Sequence, residues 1–316
     1  MSEVDRELLR AAGSAASASA AMRAATLTAP RTIELTAARR PEPGPGQVRV
    51  RLDGSGVCGS NLTPWEGRDW FHYPFAPGAP GHEGWGHVDA LGPDVDDVAI
   101  GDRVAALSER AYAEFDVAST SALVRLPDAL GRAPFPAEPL GCAMNVFRRS
   151  DVRAGDDVVI IGIGFLGALL TQLAAHAGAR VIAISRRPFA LEVARQCGAA
   201  ELVPMDDHDR IVERVKSLTG GELSARVIEV VGAQWPLDLA GELTRVRGRL
   251  VVAGYHQDGP RQVNMQLWNW RGLDVINAHE RDPAVYLAGM QAAVDAVAAG
   301  TLDPTPLYTH TMPLDS

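Results

Sequence analysis

The chain has 316 residues, 47% of them hydrophobic and 22% charged, which is enough sequence and apolar content for two globular domains. A net charge of −9 argues against nucleic acid and membrane surfaces as partners, since both are anionic. The three cysteines are too few for a disulfide framework, no apolar run approaches about 18 residues, and the first residues lack the basic start and apolar stretch of a leader, so the expected compartment is the reducing cytoplasm.

Residues 1–21, rich in alanine and serine, read as a flexible tail with a short helix near Arg6–Ala12. Strands are expected at Ala24–Leu27, Thr32–Leu35 and Gln47–Leu52, with the turn cluster PEPGPG before the last. Short apolar runs broken by Gly and Pro continue to Leu126, and a helix is predicted over Glu138–Arg149. From Asp156 the pattern changes to strand–helix alternation. Strands are predicted at Val158–Ile161, Arg180–Ile184, Leu202–Val203, Val227–Val231, Arg249–Ala253 and Leu273–Asn277. Helices are predicted to Ala177 and over Pro188–Cys197, Asp209–Leu218, Pro236–Leu243 and Ala284–Ala299. Such alternation means an α/β fold with a doubly wound, Rossmann-type parallel sheet. The expected division is a β-rich domain at 22–148, joined by 283–316, and a Rossmann domain at 149–282.

The segment VVIIGIGFLGALL carries G-x-G-x-x-G in its required setting, after a buried-type strand and at the start of a helix. Gly162 permits the tight turn, Gly164 lets the backbone approach a pyrophosphate, and Gly167 allows the helix to pack closely on the strand. Phe165 and Leu166 complete the turn, and the helix N-terminus offers N–H groups and a positive dipole end to phosphate. The second strand ends at Ser185-Arg186-Arg187. An NAD site places a carboxylate there; a 2′-phosphate is repelled by one and held by guanidinium, so NADP(H) is expected over NAD(H).

The motifs GVCGSNLTPWEG, GHEGWGHV, GDRVA and EPLGCAMN, followed in order by the glycine turn, resemble the medium-chain, zinc-dependent alcohol and polyol dehydrogenases of the sorbitol and threonine type. The resemblance runs from about Met22 to Pro313 and implies a GroES-like fold for the β-rich domain. It also implies hydride transfer between NADP(H) and an alcohol or carbonyl substrate, with one catalytic zinc polarising the oxygen. Thiolate and imidazole suit Zn²⁺, and Cys58 and His82 fall in the family's two ligand motifs. The resemblance makes Glu138 the third ligand, with Glu83 an exchanging or supporting carboxylate and Cys142 the alternative, one position out of register. Ser60 matches the hydroxyl that passes the substrate proton outward, and Asn145 a position beside the nicotinamide.

The sequence departs from the family at four places. Asn61 stands where an acid usually supports the ligating histidine, and Thr63 replaces the histidine of the proton relay. The four-cysteine lobe of a structural zinc is missing between Gly101 and Glu114. Relatives continue past the position of Ser316 with a helix and strand of the catalytic domain. Trp65, Trp70, Phe71 and Tyr73 either line a partly apolar substrate pocket or cover core. His279 and Glu280 are further candidates near the nicotinamide. A zinc-free enoyl or quinone reductase of the same fold and a non-enzymatic nucleotide-binding protein are the competing readings. Relatives assemble through the edge of the Rossmann sheet, so a homodimer is expected.

Overall fold

A computed structural model describes residues 20–315 and divides the chain into two compact units. The tail and short helix expected before residue 20 lie outside the described residues; Ala21, counted with that tail, already begins the first strand.

The first unit runs to Glu138 and takes the chain back from His310. Its β1 (Ala21–Ala29) and β2 (Thr32–Arg39) form an antiparallel hairpin. β3 (Gln47–Ser55), β4 (Gly84–Leu91), β5 (Arg103–Ala106), β6 (Phe115–Ser119) and β7 (Leu123–Arg125) form an antiparallel sheet in the order β6-β3-β4-β5-β7. Val48, Val50, Val88, Val104 and Ala118 supply its buried core. A one-and-a-half-turn helix, α1 (Leu62–Glu66), follows β3 and ends on Gly67 in the left-handed region.

The second unit is Pro139–Thr309. α2 (Ala137–Ser150) leads into it, and six parallel strands follow: β8 (Asp157–Ile161), β9 (Arg180–Ser185), β10 (Glu201–Pro204), β11 (Ser224–Glu229), β12 (Thr244–Val252) and β13 (Asp274–Asn277). Their order, β10-β9-β8-β11-β12-β13, reverses direction between β8 and β11, which is where such sheets bind ligands. Successive residues of β8 serve opposite faces. Val159 and Ile161 pack with α5 (His208–Leu218) and α6 (Gln234–Leu243), while Val158 and Ile160 pack with α3 (Phe165–His176) and α4 (Pro188–Gln196). Burial on both faces explains the unbroken apolar run in the sequence.

Two features differ from the sequence expectation. α7 (Met265–Arg271) was not foreseen because Met265 and Trp270 are exposed and only Leu267 and Trp268 turn inward, too little for a helical stripe; Trp268 packs on the core of the parallel-sheet unit, Asn264 caps the Leu267 N–H and Gly272 adopts the left-handed conformation. And α8 (Pro283–Ala298) belongs to the second unit rather than returning with 283–316 to the first. Gly141 of α2 meets it so closely that an added Cβ would stand 2.7 Å from the Met290 nitrogen, and Asn145 Nδ2 donates to the Val285 carbonyl at 3.1 Å. These contacts join α2 to α8, and the compact units divide at Glu138, ahead of the expected 148. Among the described residues no helix is long and apolar enough to cross a membrane.

Candidate active site

Pairing of β3 with β4 assembles the first cluster. Ser55 lies opposite Gly84, and the Gly56 N–H donates to the Glu83 carbonyl at 3.2 Å. The chain leaving β3 therefore runs beside the chain entering β4, and the side chains of Cys58, His82 and Glu83 converge, with one ligand atom from each within 4.8 Å of the others. Glycines make this possible. A Cβ on Gly56 would fall 1.8 Å from Glu83 Oε2, and one on Gly81 2.6 Å from the Tyr112 nitrogen. The G-H-E-G spacing thus admits the segment at Ala111–Tyr112 against the ligand loop, where the Ala111 N–H donates to the Gly81 carbonyl at 2.9 Å.

The electrostatics are those of an anionic centre. His82 is pushed up to about 9, first by its hydrogen bond with Cys58, then by the Pro80 carbonyl and the negative charges of Cys58 and Glu138, against the opposing effect of burial. Glu83, buried, is pushed up to about 7, first by desolvation and then by the charge of Glu138, with His82 and Cys58 acting the other way. Tyr112 is raised by burial and by the negative charges of Glu83 and Cys58. A half-buried thiol and imidazole beside a buried carboxylate, close enough to crowd negative charge, fit a borderline-soft divalent cation such as Zn²⁺ with three protein ligands. Glu138 opens α2, within charge range of this group, while Cys142 sits one turn further along that helix.

His82 Nδ1 lies 2.9 Å from the Pro80 carbonyl oxygen, the acceptor that orients its ring. Asn61 does not touch the imidazole directly; its Nδ2 donates to the same carbonyl at 3.1 Å, and its Oδ1 accepts the Tyr112 hydroxyl at 2.7 Å. Pro80 and Tyr112 were not anticipated from sequence, because one acts through its backbone and the other is brought in only by packing. Ser60 is half-buried on the short turn Gly59–Asn61 that follows Cys58, and its carbonyl accepts from buried Thr63 at 3.3 Å. The aromatic residues beyond pack on one another: Trp70 with Phe71 at 5.8 Å, Phe71 with Phe75 at 6.0 Å, Tyr73 with Phe75 at 5.4 Å, and the Tyr73 hydroxyl on the Pro64 carbonyl. Trp65 carries the Arg31 guanidinium over its ring.

In the second unit, Gly162 has φ +99° and receives the chain from β8, with its N–H donated to Ile184. Gly164 caps α3 without a side-chain hydrogen bond, and a Cβ there would meet nothing within 4 Å, which leaves the helix N-terminus open to a ligand. Phe165 and Leu166 form the first turn of α3. Ser185 is buried at the end of β9, where its hydroxyl accepts from the Arg187 N–H at 3.4 Å. Arg186 and Arg187 are both exposed, and Arg187 reaches back to the Ile163 carbonyl at 3.2 Å. Asn145 is buried, and its amide holds Val285 and Arg148, so it serves the packing of α2 on α8. His279 stacks on exposed Tyr255 with ring centroids 5.6 Å apart.

A second feature absent from the sequence reading is a buried chain at the carboxyl ends of β11 and β12. Glu229, fully buried, accepts the N–H groups of Val231 and Gly232 at 2.6 and 2.7 Å and faces His256 Nε2 at 3.0 Å; Arg261 Nε donates to His256 Nδ1 at 3.0 Å.

A doubly wound sheet with an open glycine turn, in one chain with a β unit that gathers thiol, imidazole and carboxylate, defines the class of nicotinamide-dependent oxidoreductases. Comparison with known proteins narrows it. Residues 44–128 match the alcohol dehydrogenase GroES-like domain and residues 166–297 the zinc-binding dehydrogenase domain. An alcohol dehydrogenase of Rhizobium meliloti (strain 1021) is 32% identical, over 68% of this chain and 71% of its own. A sorbitol dehydrogenase of Halalkalibacterium halodurans is 27% identical, over 83% and 85%. The solved structure of alcohol dehydrogenase TADH from Thermus sp. ATN1 superposes with a TM-score of 0.80 at 25% identity, covering 93% of this chain and 94% of that one. The chain belongs to the zinc-binding, medium-chain alcohol and polyol dehydrogenase family and is an oxidoreductase of that type.

Proposed function

We propose that the protein is a zinc-dependent alcohol dehydrogenase or ketone reductase that uses NADP(H). The observation that carries this reading is the convergence of half-buried Cys58 and His82 with buried Glu83. These residues would hold the metal; Glu138, the expected third ligand, stands outside the converging group and acts on it through its charge. Zinc supplies electrophilic polarisation of the substrate oxygen. The chain's own residues do the rest: Pro80 fixes the His82 ring, and Ser60 passes the substrate proton toward solvent. In the other unit Gly162, Gly164 and Gly167 shape the pyrophosphate turn with Phe165 and Leu166, while Ser185, Arg186 and Arg187 favour the 2′-phosphate because no carboxylate stands at the end of β9. We read the assembly as a homodimer; β13, the edge strand of its sheet, presents the open ladder such a pairing uses.

Metal analysis with activity tests the reading. One zinc per chain, lost together with NADPH-dependent carbonyl reduction in Cys58→Ala, is the expected result. A metal-free, fully active Cys58→Ala enzyme would put the chain with zinc-free reductases instead.

A further inference from the structure

Two loops bring the ligand residues together, and a single side chain ties the loops to each other. The Asn61 N–H donates to the Cys58 carbonyl at 3.1 Å, and Asn61 Nδ2 donates to the Pro80 carbonyl at 3.1 Å. The same carbonyl lies 2.9 Å from His82 Nδ1, so its two lone pairs serve Asn61 and His82. Asn61 Oδ1 accepts the Tyr112 hydroxyl at 2.7 Å. The orientation of this amide is fixed by chemistry: the Pro80 oxygen only accepts, so the nitrogen must face it and the oxygen must face Tyr112. Pro80, being an acceptor, likewise fixes the proton of His82 on Nδ1 and leaves Nε2 as the nitrogen with a lone pair. Tyr112 in turn is seated by backbone, its N–H donating to the Gly78 carbonyl at 3.1 Å.

We propose that Tyr112 and Asn61 act as one positioning relay, Tyr112–Asn61–Pro80–His82, that locks the imidazole in its metal-binding tautomer and holds the Cys58 and His82 loops in register. A neutral amide and a phenol thus take over, through a backbone carbonyl, the orienting task of a carboxylate bonded directly to the ring. The inference rests on the zinc reading above. Partners that orient a metal-ligating histidine typically change metal affinity by about 10- to 100-fold when removed. Tyr112→Phe removes only the hydroxyl and keeps the ring that packs on Gly81; Asn61→Ala breaks the link from the other side.

The test is zinc affinity by chelator competition in the wild type, Tyr112→Phe, Asn61→Ala and the double variant, with the visible spectrum of the cobalt-loaded proteins and thermal melting measured alongside. The expected result is a zinc dissociation constant raised about tenfold or more in each single variant. The double variant should be no weaker than the worse single one, because both break the same chain. The cobalt ligand-field bands should shift in all three. Lower melting temperatures with unchanged zinc affinity and an unchanged cobalt spectrum would overturn the relay and leave Tyr112 a packing residue. Losses that simply multiply in the double variant would also overturn it. A wild type that binds no zinc would instead sink the metal reading itself, which the wild-type titration shows directly.

Discussion

Gly167 faces Gly162 across the nucleotide turn so closely that a Cβ on it would stand 2.0 Å from the Gly162 carbonyl oxygen. Gly164, between them, has nothing within 4 Å of the same position. The two glycines therefore answer to different demands, packing and ligand approach, and the same substitution separates them. Gly167→Ala must displace the backbone of the turn or α3, and overpacking of this kind costs about 1–3 kcal/mol. The melting temperature is expected to fall by several degrees. Gly164→Ala should melt within about 0.5 kcal/mol of the wild type, as for an open surface position, yet bind NADPH more weakly because its methyl occupies the pyrophosphate's approach. Fluorescence titration with NADPH checks this; an unchanged affinity in Gly164→Ala would remove the turn from the cofactor site.

Arg186 and Arg187 do not share one role. Both are exposed, but Arg187 donates to the Ile163 carbonyl of the glycine turn. Arg186→Ala should weaken NADPH binding with little effect on NADH, since only the phosphorylated cofactor presents a group for the guanidinium. A hydrogen bond to a charged group is worth about 1.5–3 kcal/mol, so the NADPH dissociation constant should rise roughly 10- to 100-fold. Arg187→Ala should weaken both cofactors, because it also loosens the turn. Equal losses for NADPH and NADH in Arg186→Ala would mean that the 2′-phosphate is not read there.

The parallel sheet was legible in the sequence because burial on both faces leaves a continuous apolar run, as at Val158–Ile161, and most such runs are followed by a recognisable helix. Cys58 and His82 were singled out because their motifs resemble the family's ligand motifs, with Glu83 as a supporting carboxylate; that the three converge follows from strand pairing, Ser55 against Gly84, which sequence does not display. What sequence could not show were contacts made by long-range packing. Tyr112 lies 51 positions from Asn61, and nothing in A-Y-A-E marks its hydroxyl as a partner. His256 reaches Glu229 from 27 positions away. The nicotinamide position of Asn145 came from the family resemblance, and sequence could not show that its amide also bonds Val285 and Arg148.

The Glu229 chain carries a stability prediction. Arg261 donates to His256 Nδ1, so the His256 proton sits on Nε2 and is donated to Glu229; the carboxylate's remaining oxygen holds two backbone N–H groups. Glu229→Ala orphans these donors, of which the Gly232 N–H is buried, at about 1–3 kcal/mol for each buried group left unpaired. A loss of about 3 kcal/mol or more is expected by urea denaturation. His256→Phe, which breaks one link and spares the backbone pair, should cost less. A Glu229→Ala protein as stable as the wild type would show that the chain adds nothing to the fold.

The metal cluster sets a pH dependence whose sign is fixed by two raised values. In the metal-free protein Glu83 titrates near 7 instead of 4.5, and His82 near 9 instead of 6.5. Both shifts mean that the folded state holds protons the unfolded chain has released. Stability linked to Glu83 is therefore lost as pH rises from 4.5 through 7, and that linked to His82, full below 6.5, is lost as pH rises through 9. Metal-free protein should melt at progressively lower temperature from pH 5 to 9. Zinc demands the opposite protonation, a thiolate, a neutral imidazole and a carboxylate, so its uptake near pH 7 must release protons and its affinity must climb with pH over the same range. Mixing zinc with metal-free protein in a weakly buffered indicator solution measures the release, and chelator competition at pH 6, 7 and 8 measures the affinity. Zinc uptake without proton release, or an affinity that falls between pH 6 and 8, would show that Cys58, His82 and Glu83 are not the groups that receive the metal.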